Sequence, residues 1–294
     1  MPHRRRLQQA LRVTLIGAAV NFVLASGKLA AGIFGHSQAL IADAAESFAD
    51  IVGSVIVWRG LVVAAKPADE DHPYGHGKAE ALSAAVIATL LLIAAVGIAA
   101  QSVREIVSDH PAPKPWTLAV LAAVVLIKEL LFRFALGQGH ATDSGAVKSD
   151  AWHHRSDAIT SLAAAVGIGL SLVGGPSWAA ADDFAAIVAA GIIAYNGWLL
   201  LRPALEELMD AMPSPDVIAE IRQLANSVDG VDTVEKCFVR RSGWQLLVDM
   251  HIHVDPSMTV ADSHRLAHAV KDAVRAELPK VRDVMVHVEP RRQM

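Results

Sequence analysis

The sequence of 294 residues contains a single cysteine, Cys237, which excludes an intramolecular disulfide framework and any C-x-x-C site. There is no excess of basic residues, because 26 Lys and Arg stand against 30 Asp and Glu, so we expect no nucleic-acid partner. No G-x-x-x-x-G-K-[ST] motif is present, so an ATP-driven mechanism lacks its phosphate-binding loop. There is also no H-E-x-x-H motif and no obvious nucleophile beside a base, and we therefore expect no enzyme. We interpret Cys237 as a small apolar core residue.

Apolar residues are abundant and unevenly distributed. They make up 53% of the chain, charged residues 19%, and the mean hydropathy of +0.37 is too high for an ordinary soluble protein. Long apolar runs end near residue 205, and charged residues become frequent after residue 210. We predict a membrane domain over 1–208 and a soluble domain over 209–294. The basic start is followed by a long run without a clear cleavage site, which favours a retained first helix over a signal peptide.

Six segments reach the roughly 20 apolar residues that a transmembrane helix needs: 12–34, 39–64, 80–106, 115–137, 150–174 and 181–203. Lys and Arg concentrate before the first segment, around the second-to-third and fourth-to-fifth connections, and after the sixth. The positive-inside rule then places both termini in the cytoplasm. We expect a multi-pass protein of the lipid bilayer, in a bacterial inner membrane.

Ionisable residues with helical spacing lie inside two of these segments. The second contains Asp43, Glu46 and Asp50, and the fifth contains His153 and Asp157. Residues four apart share a helix face, so Glu46 pairs with Asp50 and His153 with Asp157. If the two pairs face each other, three carboxylates and one imidazole form a site for a first-row divalent metal. Asp43 is the alternative to Glu46.

Two further sets of possible metal ligands lie outside the apolar segments. The stretch "DEDHPYGHGKAE" between the second and third segments places Asp69, His72 and His76 in a D-x-x-H-x-x-x-H pattern, suited to a zinc-type ion or to a solvated loop. In the tail, "GWQLLVDMHIHVDP" alternates as a strand does, and "VADSHRLAHAVKDAVRAEL" has helical spacing. We predict an αββαβ order, a small ferredoxin-like α+β domain. Its residues of metal-ligand type are Asp249, His251, His253, His264, His268, His287 and Glu289.

Together these features resemble the cation diffusion facilitator family. The resemblance rests on the six segments, the ligand pairs in the second and fifth, the motifs "YGHGKAE" and "DAWHHRSDA", and the αββαβ tail ending in "VHVEP". It implies a homodimeric divalent metal/proton antiporter whose transport site falls on Glu46, Asp50, His153 and Asp157. Many members have Asp or His where this chain has Glu46, which leaves the preferred metal open.

The resemblance also implies metal sites in the cytoplasmic parts of the chain. The loop site falls on Asp69, His72 and His76. The tail sites, which bridge the two cytoplasmic domains of the family's homodimer, fall on Asp249, His251, His264, His287 and Glu289. Glu235 stands where some members carry a histidine ligand. A salt bridge between Lys78 and Asp210 is expected to link the tail to the membrane helices.

From this resemblance we expect efflux of Zn²⁺, Fe²⁺, Mn²⁺, Co²⁺ or Cd²⁺ in exchange for protons. No cofactor is expected beyond a divalent cation that acts as a regulatory or structural ligand. Among such cations, Zn²⁺ is the one that we expect. The ligands alone leave open a channel or a metal importer. They also leave open a membrane-bound metal sensor or assembly scaffold whose tail binds metal.

Overall fold

The structure, a computed structural model, describes residues 2–108, 111–142, 145–178 and 180–291. Side chains are described for these residues except 2–15, 139, 141, 142, 145–150, 153, 156, 176 and 177. The chain divides into two compact units. One comprises Met1–Ile56 with Ile87–Leu199, and the other comprises Val57–Val86 with Leu200–Met294.

Six long helices occupy the first 208 residues of the described chain: α1 (Pro2–Gly35), α2 (Gln38–Ala64), α3 (Ala79–Val107), α4 (Trp116–Thr142), α5 (Gly145–Val173) and α6 (Ala181–Leu208). Several of these helices are longer than the apolar segments predicted from the sequence. The predicted segments cover only the apolar stretches, whereas the longer helices continue into the polar residues that flank them. Among the described residues, α2, α3, α6 and Ile16–Gly35 of α1 are long and apolar enough to cross a membrane. Both α4 and α5 contain charged residues within their apolar stretches, so six spans stay a prediction.

The start of α2 is stabilised by a carboxylate from α6. The Ser37 hydroxyl caps the helix by accepting from the Leu40 amide at 3.2 Å. Asp182, itself buried, accepts from the Ser37 hydroxyl at 2.8 Å and from the Gln38 amide at 2.6 Å. A negative charge at a helix N-terminus is favourable, and here it also satisfies a backbone donor that would otherwise be buried without a partner. This contact fixes α2, which carries three of the acidic site residues, against α6.

The last 80 or so described residues form α7 (Pro215–Asn226), β1 (Thr233–Ser242), β2 (Gln245–Val254), α8 (Val260–Glu277) and β3 (Val281–Pro290). This is the predicted αββαβ order. The sheet order is β1-β2-β3, with β1 antiparallel and β3 parallel to β2. Gly243, at φ +64°, allows the two-residue turn between β1 and β2. The parallel pair needs a long crossover, and α8 provides it.

A hydrophobic core lies between the two helices and one face of this sheet. Leu266, Val270 and Val274 recur every four residues on α8 and are buried with Met250 and Ile252 of β2. Cys237 belongs to this core at 3% exposure, which confirms its predicted role. Since side chains alternate along a strand, the residues between these apolar positions of β2 point to the opposite face of the sheet. That alternation places Asp249, His251 and His253 together on the face away from the core.

Candidate metal centres

The predicted transport residues of α2 and α5 form one electrostatic cluster in the first unit. Glu46 experiences the charges of Asp50, Asp43 and Asp157, and also that of a lysine, Lys28. The two helices therefore bring these acidic residues together, which the i,i+4 spacing within each helix could not establish. His153 is the exception, because its side chain lies outside the described residues, and its role as a ligand stays a prediction.

Two buried lysines that sequence reasoning missed neutralise part of this acidic charge. Lys28 of α1 is ion-paired with Asp43 at 3.0 Å, and Lys128 of α4 with Asp157 at 2.5 Å. The two lysine side chains are 0% and 1% exposed. The signal was present in the sequence, since a lysine inside an apolar segment is rare and marks a functional or paired position.

Asp43, the alternative to Glu46, is held by a complete set of polar contacts. Its carboxylate accepts from the Ser161 hydroxyl of α5 at 2.8 and 3.0 Å, in addition to the Lys28 ammonium. Lys28 also donates to the Asp43 carbonyl at 3.0 Å and to the Ser47 hydroxyl at 2.6 Å. Such a network joins α1, α2 and α5 and favours a structural role for Asp43. Glu46 has no hydrogen bond to any described side chain, which leaves its carboxylate available to a cation.

A cavity of about 320 Å³ reaches Asp43 and Glu46 between α2, α5 and α6. The rest of its lining is largely apolar, with Thr160 the one other side chain that can hydrogen-bond. His154 is buried (1%) on α5, in line with Ala158 and Ser161. Arg155 faces the other way and stacks over the rings of Phe132 and Trp152, so its charge stays away from the acidic cluster.

The predicted loop ligands come together in the second unit. Asp69, His72 and His76 each offer a ligand atom, and these atoms lie within 4.8 Å of one another. Nδ1 of His76 is 3.2 Å from the Pro67 carbonyl oxygen, and Nε2 is 3.4 Å from Asp69 Oδ2. A carbonyl oxygen only accepts, so Nδ1 carries the proton and Nε2 is directed to the site, an arrangement common among metal-binding histidines. The backbone amide and ring of His72 lower the pKa of Asp69, which therefore stays ionised.

In the tail, strand register assembles a group of ligands from β2 and β3. His251 lies opposite His287, and His253 lies opposite Glu289. The Glu289 carboxylate is 2.6 Å from His251 Nδ1 and 3.5 Å from His287 Nε2. These three side chains can hold one metal ion. The hydrogen bond from His251 lowers the pKa of Glu289, which keeps the carboxylate charged.

Two other predicted tail ligands lie outside this group among the described residues. Asp249 of β2 lies opposite Met285 of β3, two residues before His251 on the same face of the strand. His264 is on α8, whose buried side packs against the core face, and its ring contacts His268 at 4.7 Å. Their roles as ligands stay predictions. A second triad that sequence reasoning did not select consists of Glu235, His253 and Glu289, which shares its last member with the first group.

Lys78 and Asp210 form the predicted salt bridge within the second unit. The Lys78 ammonium is 2.7 Å from Asp210 Oδ1, and Arg240 approaches the other oxygen at 3.9 Å. Arg240 also lies over the ring of Tyr74, whose carbonyl accepts from Arg282 at 2.7 Å. These contacts hold the loop with the predicted ligands Asp69, His72 and His76 against the sheet domain.

Comparison with known proteins identifies the family. Residues 14–209 match the model of the cation efflux transmembrane domain, and residues 213–291 match that of the cation efflux protein cytoplasmic domain. The chain belongs to the cation efflux family, also called the cation diffusion facilitators. It is accordingly a multi-pass membrane protein of a transporter family.

Relatives align over nearly the whole chain. The manganese efflux system protein MneP of Bacillus subtilis is 31% identical, with 97% of each chain covered. Metal tolerance protein 2 of rice is 32% identical over 94% of this chain and 77% of its own. The magnetosome protein MamB of Magnetospirillum gryphiswaldense is 32% identical over 88% of this chain and 86% of its own. Two of these three relatives of this cation efflux protein are named for the efflux or tolerance of metals.

Proposed function

We propose that the protein exports divalent metal cations from the cytoplasm in exchange for protons, as a homodimer with both termini in the cytoplasm of a bacterial cell. The observation that carries this proposal is the cluster of Glu46, Asp50 and Asp157 between two long helices of the first unit. Placing ionised groups within a membrane costs free energy, and such groups commonly mark the pathway of a transported ion. The names of the relatives support metal as the substrate.

The donor set favours manganese or iron beside zinc. Three carboxylates from Glu46, Asp50 and Asp157 with one imidazole from His153 make an oxygen-rich site, which Mn²⁺ and Fe²⁺ accept readily. Zn²⁺, Co²⁺ and Cd²⁺ also bind imidazole and carboxylate. The relative named as a manganese efflux protein agrees with this donor set.

Proton exchange follows from the chemistry of the same groups. Carboxylates and imidazole bind either a metal ion or protons, so metal entry releases protons. A site that faces the cytoplasm with metal and returns with protons couples outward metal flow to the inward proton gradient. Obligatory exchange also requires that the site changes orientation when it holds metal or protons and not when it is empty.

We further propose that the loop and tail groups bind metal in the cytoplasm and regulate transport. The loop triad and the group of His251, His287 and Glu289 are each compact enough for one ion. Because His264 lies on α8, away from that group, we expect it to contribute across the dimer, as the family resemblance implies. Metal would then draw the two tails together by its higher affinity for the closed state.

The test is metal uptake into proteoliposomes with an imposed pH gradient, run with Mn²⁺, Fe²⁺, Zn²⁺, Co²⁺ and Cd²⁺ in turn. We expect uphill metal movement that collapses when a protonophore removes the gradient. A channel would carry metal only downhill, and a sensor or scaffold would carry none. Asp157→Ala is the matched negative control, because it removes a ligand from the cluster and leaves both cytoplasmic groups intact.

A further inference from the structure

The two buried lysines of the acidic cluster differ in how their ammonium groups are used. Lys28 donates to the Asp43 carboxylate, to the Asp43 carbonyl and to the Ser47 hydroxyl, so all three of its protons have partners. Among the described residues, Lys128 donates to Asp157 alone. Both side chains are almost completely buried. Lys28 is thus fixed in place, whereas Lys128 is held through a single contact.

The single described partner of Lys128 is Asp157, which is one of the proposed transport ligands. The Lys128 ammonium is 2.5 Å from Asp157 Oδ2, and a metal ion held by the same carboxylate would approach one of its two oxygens to about 2.0–2.2 Å. Two cations on one buried carboxylate lie within a few ångströms of each other and repel strongly. Metal binding at Asp157 is therefore more favourable when the ammonium moves away, and its flexible four-carbon stem permits that movement.

The formal charges of the cluster determine which cation is able to displace it. The acidic groups Asp43, Glu46, Asp50 and Asp157 outnumber the ammonium groups of Lys28 and Lys128 by two. One divalent ion balances that excess, and a monovalent ion does not. Replacing the Lys128 ammonium at Asp157 by another monovalent ion also loses a charge-assisted hydrogen bond without improving the charge balance.

We propose that Lys128 is a specificity-determining residue of the transport site, an internal cation that occupies Asp157 until a divalent ion displaces it and that excludes monovalent metal ions such as Na⁺. This inference rests on the proposed function, because it takes Asp157 as a transport ligand. Lys28 has a different role, as the permanent partner of Asp43.

The test compares metal binding by the full-length chain and its variants in detergent, by calorimetry with MnCl₂ at pH 8, where protons compete little. All proteins carry His76→Ala and Glu289→Ala, which remove one ligand from the loop group and the ligand that the two tail groups share. Each titration is run in NaCl and, at equal ionic strength, in choline chloride, whose bulky cation cannot enter the site. This pairing separates sodium competition from ionic screening.

We expect the unsubstituted Lys128 protein to have the same dissociation constant in both salts. Lys128→Met should bind Mn²⁺ at least about tenfold more tightly in choline chloride, a change of about 1.4 kcal/mol, and NaCl should weaken that binding several-fold. A purely structural role for Lys128 would not create sensitivity to sodium. Unchanged or weaker Mn²⁺ binding by Lys128→Met, or equal binding in the two salts, overturns the proposal.

Two further variants keep the result interpretable. If Lys128→Met does not fold, Lys128→Arg takes its place, because a guanidinium holds a carboxylate with two hydrogen bonds and should weaken Mn²⁺ binding at least about fivefold. Unchanged binding by Lys128→Arg then overturns the proposal. Asp157→Asn tests the proposed transport site itself. If it binds Mn²⁺ normally, that site is wrong. If it loses binding while the Lys128 variants are unaffected, only the role of Lys128 fails.

Discussion

Replacing Lys28 by methionine should destabilise the helical part of the protein strongly, because it leaves the buried Asp43 carboxylate without its cation. The side chains of the pair are 0% and 5% exposed, and their charged atoms are 3.0 Å apart. Removing one partner of such a buried pair costs about 3–5 kcal/mol. In a unit of this size about 1 kcal/mol corresponds to a shift of ~2–4 °C in Tm, so we expect a drop of roughly 6–20 °C.

The assay is the temperature at which the protein in detergent loses its monodisperse size-exclusion peak. Arg133→Met is the matched control, because it removes a cation from an exposed i,i+4 pair with Glu129. Exposed pairs of this kind contribute about 0.3–0.5 kcal/mol, and the Tm should hardly change. Adding Asp43→Asn to Lys28→Met removes the uncompensated charge and should recover much of the loss. If Lys28→Met melts with the wild type, or if the double variant is no better than the single one, the assignment of Lys28 as a structural counter-ion is refuted.

Further predictions concern the metal sites. Asp157→Ala should abolish transport in a protein that still forms dimers, and His153→Ala should do nearly the same; near-normal uptake by Asp157→Ala in proteoliposomes would contradict the transport site. Glu46→Asp should keep transport but change the Mn²⁺/Zn²⁺ rate ratio, because its carboxylate reaches one methylene less far, whereas an unaltered rate and ratio in Glu46→Ala would exclude it as a ligand. The pKa of Glu289 is lowered by His251, so Glu289 adds stability above the ordinary glutamate pKa of 4.5 and loses it as the pH falls through the lowered value. Chemical unfolding of the isolated tail should therefore show a smaller loss of stability on acidification from about pH 5 to 3 in Glu289→Gln than in the wild type. Metal binding by the tail should weaken between about pH 7.5 and 6, where imidazoles ordinarily gain protons, and a calorimetric affinity that is constant over this range would argue against histidine ligands.

Local patterns in the sequence determined the elements and much of the ligand sets. Helical spacing placed Glu46 with Asp50 on α2, and strand alternation placed His251 and His253 on one face of β2. The predicted loop ligands Asp69 and His76 are only seven residues apart, so a single turn brings them together. Each of these relations depends on a few neighbouring residues, and the periodicity of helix or strand is enough to predict it. The αββαβ order follows from the same local periodicities.

Tertiary structure decided the relations between distant residues. Lys28 pairs with Asp43 across α1 and α2, and Lys128 with Asp157 across α4 and α5. No spacing rule links such residues, because which faces meet depends on how the helices pack. The partner of His251 depended in the same way on strand register, and a shift of one residue would have turned Glu289 to the other face. Sequence alone therefore determined which ionisable groups the membrane helices contain, whereas packing decided which carboxylates have a lysine as partner, because a buried charge is stabilised by whatever lies within a few ångströms and not by its neighbours along the chain.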